Sequence, residues 1–559
     1  MFEPTPDHVK QKIDKLLSNY EYGRQVLTKP KSWDSPVPKV DDADPDAPDS
    51  WLGIADEIFR ILAHDKYDLD TYPNSIEIID TERMLDANAK IGLPIMYNHW
   101  SFGKRREKID QDFKKGNMGL ALEIILNTDP SIAYLMEGNS KTSQAVVIAH
   151  ASYGHNNFFK KNYMFQHFSE ADDILYALKK LTTTVEDCER KYGEKRVERL
   201  LDACHALENY GVDPYDKNWE LSQEEKKEDE KRADKVRRQT YDPVIDATAG
   251  RDLSEARKAK TGRFQYKEGN LLRFIADTAP HLEEWERDIM RQIAYKAQYF
   301  QPQKQDKVMN EGWATFWHYT MMYDLHELGL VDDGMMQEFL HLHAHVVAQF
   351  DFDDKRYSGL NPYALGFAIF SDLKRLCQNP TEEDYRWFPT YAGCQDWLNV
   401  LKEARDNYHD ETFIQQFLSP KVMRDFRLFA VRDDDREDEA EVLAVHDYIG
   451  YEQVRDRLAY SHNISAHMPQ VYAAEYDFRG DRSLTLHHHR QNRKPLDQKD
   501  MQKVLNYMEY LWQHPVHLES YDESGHLLDT MKGNVINEPS AKNKNRIPAR
   551  PKKMDAPSP

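Results

Sequence analysis

Residues 307–318 read KVMNEGWATFWH, a stretch in which one acidic residue and one histidine stand among apolar and aromatic neighbours. On a helix, positions 311, 315, 318 and 322 share one face, so Glu311 and His318 point the same way two turns apart. A carboxylate or imidazole is costly to bury without a partner. The stretch therefore predicts a buried helix that carries part of a polar site.

The triplet Asn310-Glu311-Gly312, followed by an aromatic residue and an alanine, resembles the helix that supplies the glutamate ligand in zinc peptidases of the gluzincin type. In those enzymes two histidine ligands come from an earlier helix. The resemblance implies a zinc ligand at Glu311 and a gluzincin-like helical site.

Residues 146–159, VVIAHASYGHNNFF, hold the earlier histidines, His150 and His155. Their spacing is i, i+5, which separates the two rings by roughly 140° on an ideal α-helix. Shared metal binding therefore requires a π-bulge or a helix end at Gly154. Ala151 stands where such a zinc helix carries its general base. The alternative is a structural polar core, in which both histidines bond backbone carbonyls or nearby asparagines.

Six long blocks of unusual sequence follow one another along the chain. Together they resemble the SpoVR family, the stage V sporulation protein R-like proteins, from about residue 8 to about residue 530. The blocks are YNHWSFGKR (97–105), SIAYLMEGNS (131–140), VVIAHASYGHNNFFKKNYMF (146–165), YFQPQKQDKVMNEGWATFWHYT (299–320), NPYALGF (361–367) and YDFRGDRSLTLHHHR (476–490).

The resemblance implies a role in sporulation and stress survival, beside an AAA+ serine protein kinase and a von Willebrand-type protein. It also implies a metal-dependent amide hydrolase that remodels peptidoglycan as an amidase. The alternative is a non-enzymatic scaffold or partner of the kinase system, in which the histidines and Glu311 are purely structural. The retained set of metal-ligand residues favours the enzyme, whereas the altered HExxH pattern and the expected location in the cytoplasm favour the scaffold.

In the enzymatic interpretation, Zn²⁺ is held by His150, His155 and Glu311 with a fourth position open for water. A proton shuttle is still required. The candidates are Glu137 and His99, both within the family blocks, and His318. Each has a structural alternative: Glu137 caps a helix or pairs with a nearby basic residue, and His99 is an interior hydrogen-bond donor.

The composition excludes several classes of function. Acidic residues outnumber basic ones by 96 to 75, giving a formal net charge of −21, so nonspecific binding to nucleic acid is not expected. The four cysteines form no CxxC motif, as is typical of a reducing compartment. The N-terminus lacks a signal peptide's apolar region, and no apolar run is long enough to span a membrane. We expect a cytoplasmic protein.

The pattern predicts a mainly α-helical N-terminal region followed by a smaller C-terminal α+β domain. Residues 1–50 are expected to form a helix and an extended arm, and residues 51–420 a helical core with a charged insertion near 185–263. Within the core, ADEIFRILAHD, MGLALEIILNT and ADDILYALKKL all show helical periodicity.

After Pro420 the periodicity changes from helical to strand-like, which predicts the α+β domain at 421–533. Strand alternation places His487 and His489 on the face opposite His488, a poor arrangement for a three-histidine metal site. The half-motif Glu338-x-x-His341 is typical of di-iron bundles, but those require a second copy. His345 is a further candidate ligand on the same helix. Residues 534–559 lack apolar content and are expected to be a disordered tail.

Overall fold

A computed structural model describes most of the chain as two compact units, Met1–Glu198 with Gln292–Met468, and Arg199–Arg291 with Pro469–Pro559. The described residues are 3–90, 92–115, 122–212, 263–351, 354–428, 431–432, 441–442, 446–477, 480–490 and 494–534. Most of the predicted charged insertion and of the predicted tail, 213–262 and 535–559, lies outside them.

The first unit is mainly helical, as predicted. Its α-helices are Asp7–Leu17, Trp51–Ile61, Thr81–Ala89, Trp100–Lys114, Lys141–Val147, Asn156–Lys161, Tyr163–Phe168, Ile174–Tyr192, Gln301–Gln305, Lys307–Glu327, Asp333–Val346, Pro362–Gln378, Glu382–Trp387, Trp397–Asn407, Asp410–Phe417, Pro420–Asp425, Tyr448–Ser461 and Ile464–His467. A 3₁₀-helix spans Gly23–Gln25, and π-helices span Leu62–Lys66 and Ile148–His155. The helices Glu194–Leu207 and Glu284–Tyr299 contribute residues to both units.

Two helical elements form the centre of this unit. We call Lys307–Glu327 the glutamate helix, and the continuous run of α-, π- and α-helix from Lys141 to Lys161 the histidine segment. The glutamate helix is apolar nearly all round, and a helix of that kind is buried. Its indole side chains Trp313 and Trp317 are fully buried. The predicted helix at residues 307–318 is therefore confirmed, and its polar face lies inside the core.

Glycine allows the two elements to pack closely. A Cβ atom built on Gly154 of the histidine segment would lie 2.5 Å from Cα of Ala314 on the glutamate helix. Real Cβ atoms do not approach so closely, so only glycine fits here. Because Gly154 directly precedes His155, this contact sets how near the histidines come to the glutamate helix.

Three strands precede the histidine segment in the chain: β1 at Asn74–Ile79, β2 at Glu123–Leu126 and β3 at Ser131–Met136. They form a sheet in the order β1-β3-β2. Strand β1 is parallel to β3, and β2 is antiparallel to it. The helix predicted for MGLALEIILNT is wrong at Glu123–Leu126. These four residues complete a sheet edge against β3, and so short an apolar run does not distinguish helix from strand.

The second unit is α+β. Its strands are β4 (Arg263–Glu268), β7 (Gln470–Asp477), β8 (Leu484–His489), β9 (Val516–Tyr521) and β10 (Leu527–Lys532). They form one five-stranded sheet in the order β10-β9-β8-β7-β4, and the helix Gln498–Trp512 links the parallel strands β8 and β9. The unit also has a helix at Leu271–Thr278 and a 3₁₀-helix at Glu208–Tyr210. The short pair β5 (Val431–Arg432) and β6 (Glu441–Val442) stands apart from this sheet.

Strand alternation in this unit follows the prediction. His488 is buried, whereas His487 and His489 are partly exposed on the opposite face. The antiparallel strands β7 and β8 form a hairpin, with Gly480 donating its backbone N–H to Asp477. The unit also contains β4 and the helix Leu271–Thr278, which precede residue 421 in the chain, so its extent differs from 421–533. The division at residue 420 concerns independent folding and stays a prediction.

Within the described residues, no helix combines the length and the apolar composition that a bilayer crossing requires.

Candidate metal site

The π-helix at Ile148–His155 brings the side chains of His150 and His155 together despite their i, i+5 spacing. A π-helix closes its hydrogen bonds between residues i and i+5, which places side chains five residues apart above one another. The rings of His150 and His155 accordingly lie 4.6 Å apart between centroids, and both side chains are buried. The π-bulge that shared metal binding would require is therefore present.

Glu311 of the glutamate helix faces both imidazoles. Its Oε2 atom lies 3.6 Å from Nε2 of His150 and 3.4 Å from Nε2 of His155. The same oxygen is buried and has no hydrogen-bond partner with donor geometry among the described residues. The three residues predicted from sequence as metal ligands thus converge on one point, although their role as ligands stays a prediction.

A second carboxylate, which the sequence analysis did not single out, completes the cluster. Glu123 begins strand β2, and its Oε1 atom lies 3.5 Å from Nε2 of His150. Ligand atoms of Glu123, His150 and His155 all lie within 4.8 Å of one another. We call Glu123, His150, His155 and Glu311 the four-residue cluster.

Two carboxylates in one buried pocket repel each other. Burial, reinforced by the nearby charge of Glu311, raises the pKa of Glu123 well above its usual range. Burial also acts to raise the pKa of Glu311, but the imidazoles of His150 and His155, which face its carboxylate, hold that pKa below its usual range. Burial and the neighbouring His155 lower the pKa of His150. A cation among these atoms would relieve the repulsion and let both carboxylates ionise.

Asn310 sets the orientation of His155. The Oδ1 atom of Asn310 lies 2.8 Å from Nδ1 of His155. An amide oxygen only accepts hydrogen bonds, so Nδ1 of His155 is the donor and the ring is held with Nε2 toward Glu311. Metal-binding histidines are held in this way by a partner at the other ring nitrogen.

His318 lies on the far side of His150 from the carboxylates. Its Nδ1 atom is 3.0 Å from Nδ1 of His150, and its Nε2 atom is 2.9 Å from Nδ1 of His343. Burial, together with the two neighbouring imidazoles, holds the pKa of His318 well below its usual range. His318 therefore supports a cluster residue from behind, and its predicted role as a proton shuttle stays a prediction.

The other two shuttle candidates are engaged elsewhere. His99 is the N-cap of the helix Trp100–Lys114, where its Nδ1 atom accepts a hydrogen bond from the backbone N–H of Ser101. Glu137 is exposed in a surface cleft, and its backbone carbonyl accepts a hydrogen bond from Trp33. The described contacts join neither residue to the cluster.

The helix Asp333–Val346 contributes differently from the prediction. Glu338 accepts hydrogen bonds of 2.6 Å from the hydroxyls of Ser140 and Thr142 in the surface cleft. His345 is exposed and bonds the backbone carbonyl of His341 on its own helix. The histidine of this helix that reaches the interior is His343. Among the described residues, the ligand atoms that lie within 4.8 Å of one another belong to Glu123, His150 and His155, and the helix Asp333–Val346 supplies none of them.

Comparison with known proteins gives two family matches. The model of the SpoVR like protein family matches residues 52–467, and that of the SpoVR-like C-terminal domain matches residues 469–523. The two matches meet where the second compact unit resumes, at Pro469. No solved structure shows significant similarity to the chain.

A curated relative supports the same assignment. The "Uncharacterized protein YcgB" of Escherichia coli strain K12 is 47% identical over 479 residues, which cover 85% of this chain and 92% of that protein. The blocks from which the family was inferred include both histidines, Glu311 and the C-terminal hairpin. On the family matches and this relative, the chain belongs to the SpoVR family.

Proposed function

We propose that the four-residue cluster binds a divalent transition metal, with zinc as the ion that fits best. The observation that carries this proposal is that Oε2 of Glu311 lies 3.6 Å from Nε2 of His150 and 3.4 Å from Nε2 of His155. Two imidazoles and one carboxylate are a donor set that zinc prefers. Oε2 of Glu123 and Oε2 of Glu311 are buried and have no hydrogen-bond partner among the described residues, and a cation between them would satisfy both.

The chemistry that such a site supports best is hydrolysis of an amide bond. A bound zinc ion supplies a water of lowered pKa and polarises a carbonyl group. In this proposal His150, His155 and Glu311 hold the ion, and Asn310 fixes the His155 tautomer that presents Nε2. Glu123 then takes up the proton of the attacking water at a carboxylate oxygen, the function that Ala151 cannot provide.

The proposed substrate class is an amide bond of the peptidoglycan type, and the proposed setting is sporulation or stress response. Both come from the family resemblance. The competing proposal is a scaffold for an AAA+ serine protein kinase system with a von Willebrand-type protein. Ala151 favours it, because the usual catalytic glutamate is missing from the histidine segment. The cytoplasmic location is likewise proposed.

Three variants of the untagged protein test the enzyme against the scaffold. Glu311→Gln keeps the shape of the side chain but removes the charge, so metal affinity and hydrolysis should fall together. Glu123→Gln should retain the metal and lose hydrolysis. Glu338→Gln is the matched control, because its carboxylate bonds two hydroxyls outside the cluster. It should keep both properties.

The measurements are metal content by mass spectrometry and release of amine from peptidoglycan fragments in the presence of added zinc. Thermal stability of Glu311→Gln should fall only by the contribution of metal binding. Wild-type protein without stoichiometric metal and without hydrolysis would eliminate the enzyme and leave the scaffold.

A further inference from the structure

A tyrosine from a third helix faces the cluster. The helix Pro362–Gln378, which we call the tyrosine helix, begins at the N-cap Asn361, whose side-chain oxygen accepts a hydrogen bond from the backbone N–H of Tyr363. The amide group of Asn361 also donates to the carbonyls of Val346 and Ala348. Tyr363 thus occupies a rigid position in the first turn of this helix.

A glycine pair brings the tyrosine helix against the glutamate helix. A Cβ atom built on Gly312 would overlap the backbone of Gly366, and one built on Gly366 would overlap the backbone of Val308 and Gly312. Glu311 precedes the first glycine, and Tyr363 stands one turn before the second. The close contact between the two helix backbones therefore places the side chain of Tyr363 near the carboxylate of Glu311.

The side chain of Tyr363 lies against the cluster. Its ring stacks on that of His150, with centroids 6.2 Å apart and planes inclined by 16°. Glu311 and Glu123 both lie near enough to act on it electrostatically. The O–H group of a phenol is a hydrogen-bond donor.

We propose that Tyr363 is a catalytic residue whose hydroxyl donates a hydrogen bond to the substrate oxygen on which negative charge develops. This proposal rests on the proposed metal-dependent hydrolysis. A preorganised donor directed at the developing charge accelerates the reaction because it binds the transition state more strongly than the substrate.

The step balances without a further reagent. The oxygen of water forms a bond to the amide carbon, its proton passes to Glu123, and the carbonyl π electrons move to the carbonyl oxygen. That oxyanion accepts the hydrogen bond from Tyr363. When the electron pair returns, the C–N bond breaks, and the amine leaves with the proton held by Glu123.

The test compares Tyr363→Phe with Tyr295→Phe. The hydroxyl of Tyr295 also bonds a carboxylate, Oε2 of Glu170, at 3.1 Å, but outside the cluster. Zinc content, thermal midpoint and binding of acetohydroxamate, a small zinc-binding mimic of the charged intermediate, are measured for both variants. Kinetic constants are measured with a peptide amide.

Tyr363→Phe should keep one zinc ion per chain and fold normally, bind acetohydroxamate about 10-fold more weakly, and lose about 100-fold in kcat with little change in KM. Tyr363→His, which restores a donor, should recover part of the acetohydroxamate affinity. Tyr295→Phe should match the wild type in every property except stability.

Two outcomes overturn the role of Tyr363 and leave the metal site intact: acetohydroxamate affinity and kcat unchanged in Tyr363→Phe, or zinc lost as completely as in Glu311→Gln. The second would make Tyr363 a support for a ligand. A wild-type protein that binds no zinc overturns the proposed function, and this role with it. If Tyr363→Phe misfolds, Tyr363→His provides the test instead. Complete loss of acetohydroxamate affinity in folded, zinc-loaded Tyr363→His would also overturn the role of Tyr363.

Discussion

Nδ1 of His155 lies 2.8 Å from Oδ1 of Asn310, the residue that directly precedes Glu311 on the glutamate helix. One helix thus provides a carboxylate for the cluster and, from the adjacent position, the group that orients a histidine of the other element. Because Glu311 and Asn310 move together, the relative placement of the carboxylate and the imidazole is set by a single backbone.

Asn310→Ala should weaken zinc binding by about 10- to 100-fold, the range found when a partner of a metal-binding histidine is lost. The ring of His155 would then be free to rotate and to change tautomer. Competition with a chromophoric chelator measures the affinity. Asn399→Ala is the control, since that exposed asparagine bonds Asp396 on the protein surface. Equal zinc affinities of Asn310→Ala and Asn399→Ala would show that Asn310 does not support the metal site.

Gly154→Ala should lower the free energy of unfolding by about 1–3 kcal/mol, the usual range for overpacking a tight interior. The added methyl group would press on the backbone of Ala314. Gly103→Ala is the matched control, because Gly103 lies in the helix Trp100–Lys114 and a Cβ atom added to it would have no atom within 4 Å. This exposed change should stabilise by about 0.5–1 kcal/mol. Urea denaturation measures the free energy of unfolding of both variants and of the wild type. A Gly154→Ala variant as stable as the wild type would contradict the close packing of Gly154 against Ala314.

His488 predicts a pH dependence in the second unit. Burial, with smaller effects of Arg490 and His489, lowers the pKa of His488 from 6.5 to about 4. The unfolded chain therefore binds this proton at a higher pH than the folded chain does. The free energy of unfolding should fall as the pH decreases from 6.5 to about 4, by up to about 3 kcal/mol.

His488→Gln should remove this part of the slope, because glutamine does not titrate. His489→Gln on the opposite face should leave it in place. Thermal midpoints recorded at intervals between pH 4 and pH 7 provide the comparison. Parallel curves for the wild type and His488→Gln would show that His488 does not stay neutral in the folded protein.

Local geometry made much of the candidate site predictable. The i, i+5 spacing of His150 and His155 meant that shared metal binding required a π-bulge or a helix end at Gly154, and helical periodicity placed Glu311 and His318 on one face. Both inferences depend only on residues within a few turns of one another. Alternation along β8 likewise separated His488 from its neighbours.

The other residues at the site depend on long-range packing. Glu123 reaches His150 only because β2 pairs with β3, and EIIL carries no metal-binding motif of its own. Tyr363 depends on the contact of Gly312 with Gly366, and His343 on the packing of its helix against His318. Tyr363 lies in the block NPYALGF, so the family resemblance was the one signal that could have drawn attention to it.

The π-helix also means that the histidine segment is longer by one residue than the α-helix it interrupts. A π-bulge is equivalent to a single inserted residue, and the turns on either side remain in phase with each other. Deleting Ser152, whose buried hydroxyl has no hydrogen-bond partner among the described residues, would leave an ordinary α-helix with the two histidines at i, i+4. Asn156 would still face Tyr72 and Asn74. Shortening the chain by one residue, rather than replacing a side chain, is thus the change that separates the geometry of the imidazole pair from the stability of the core around it.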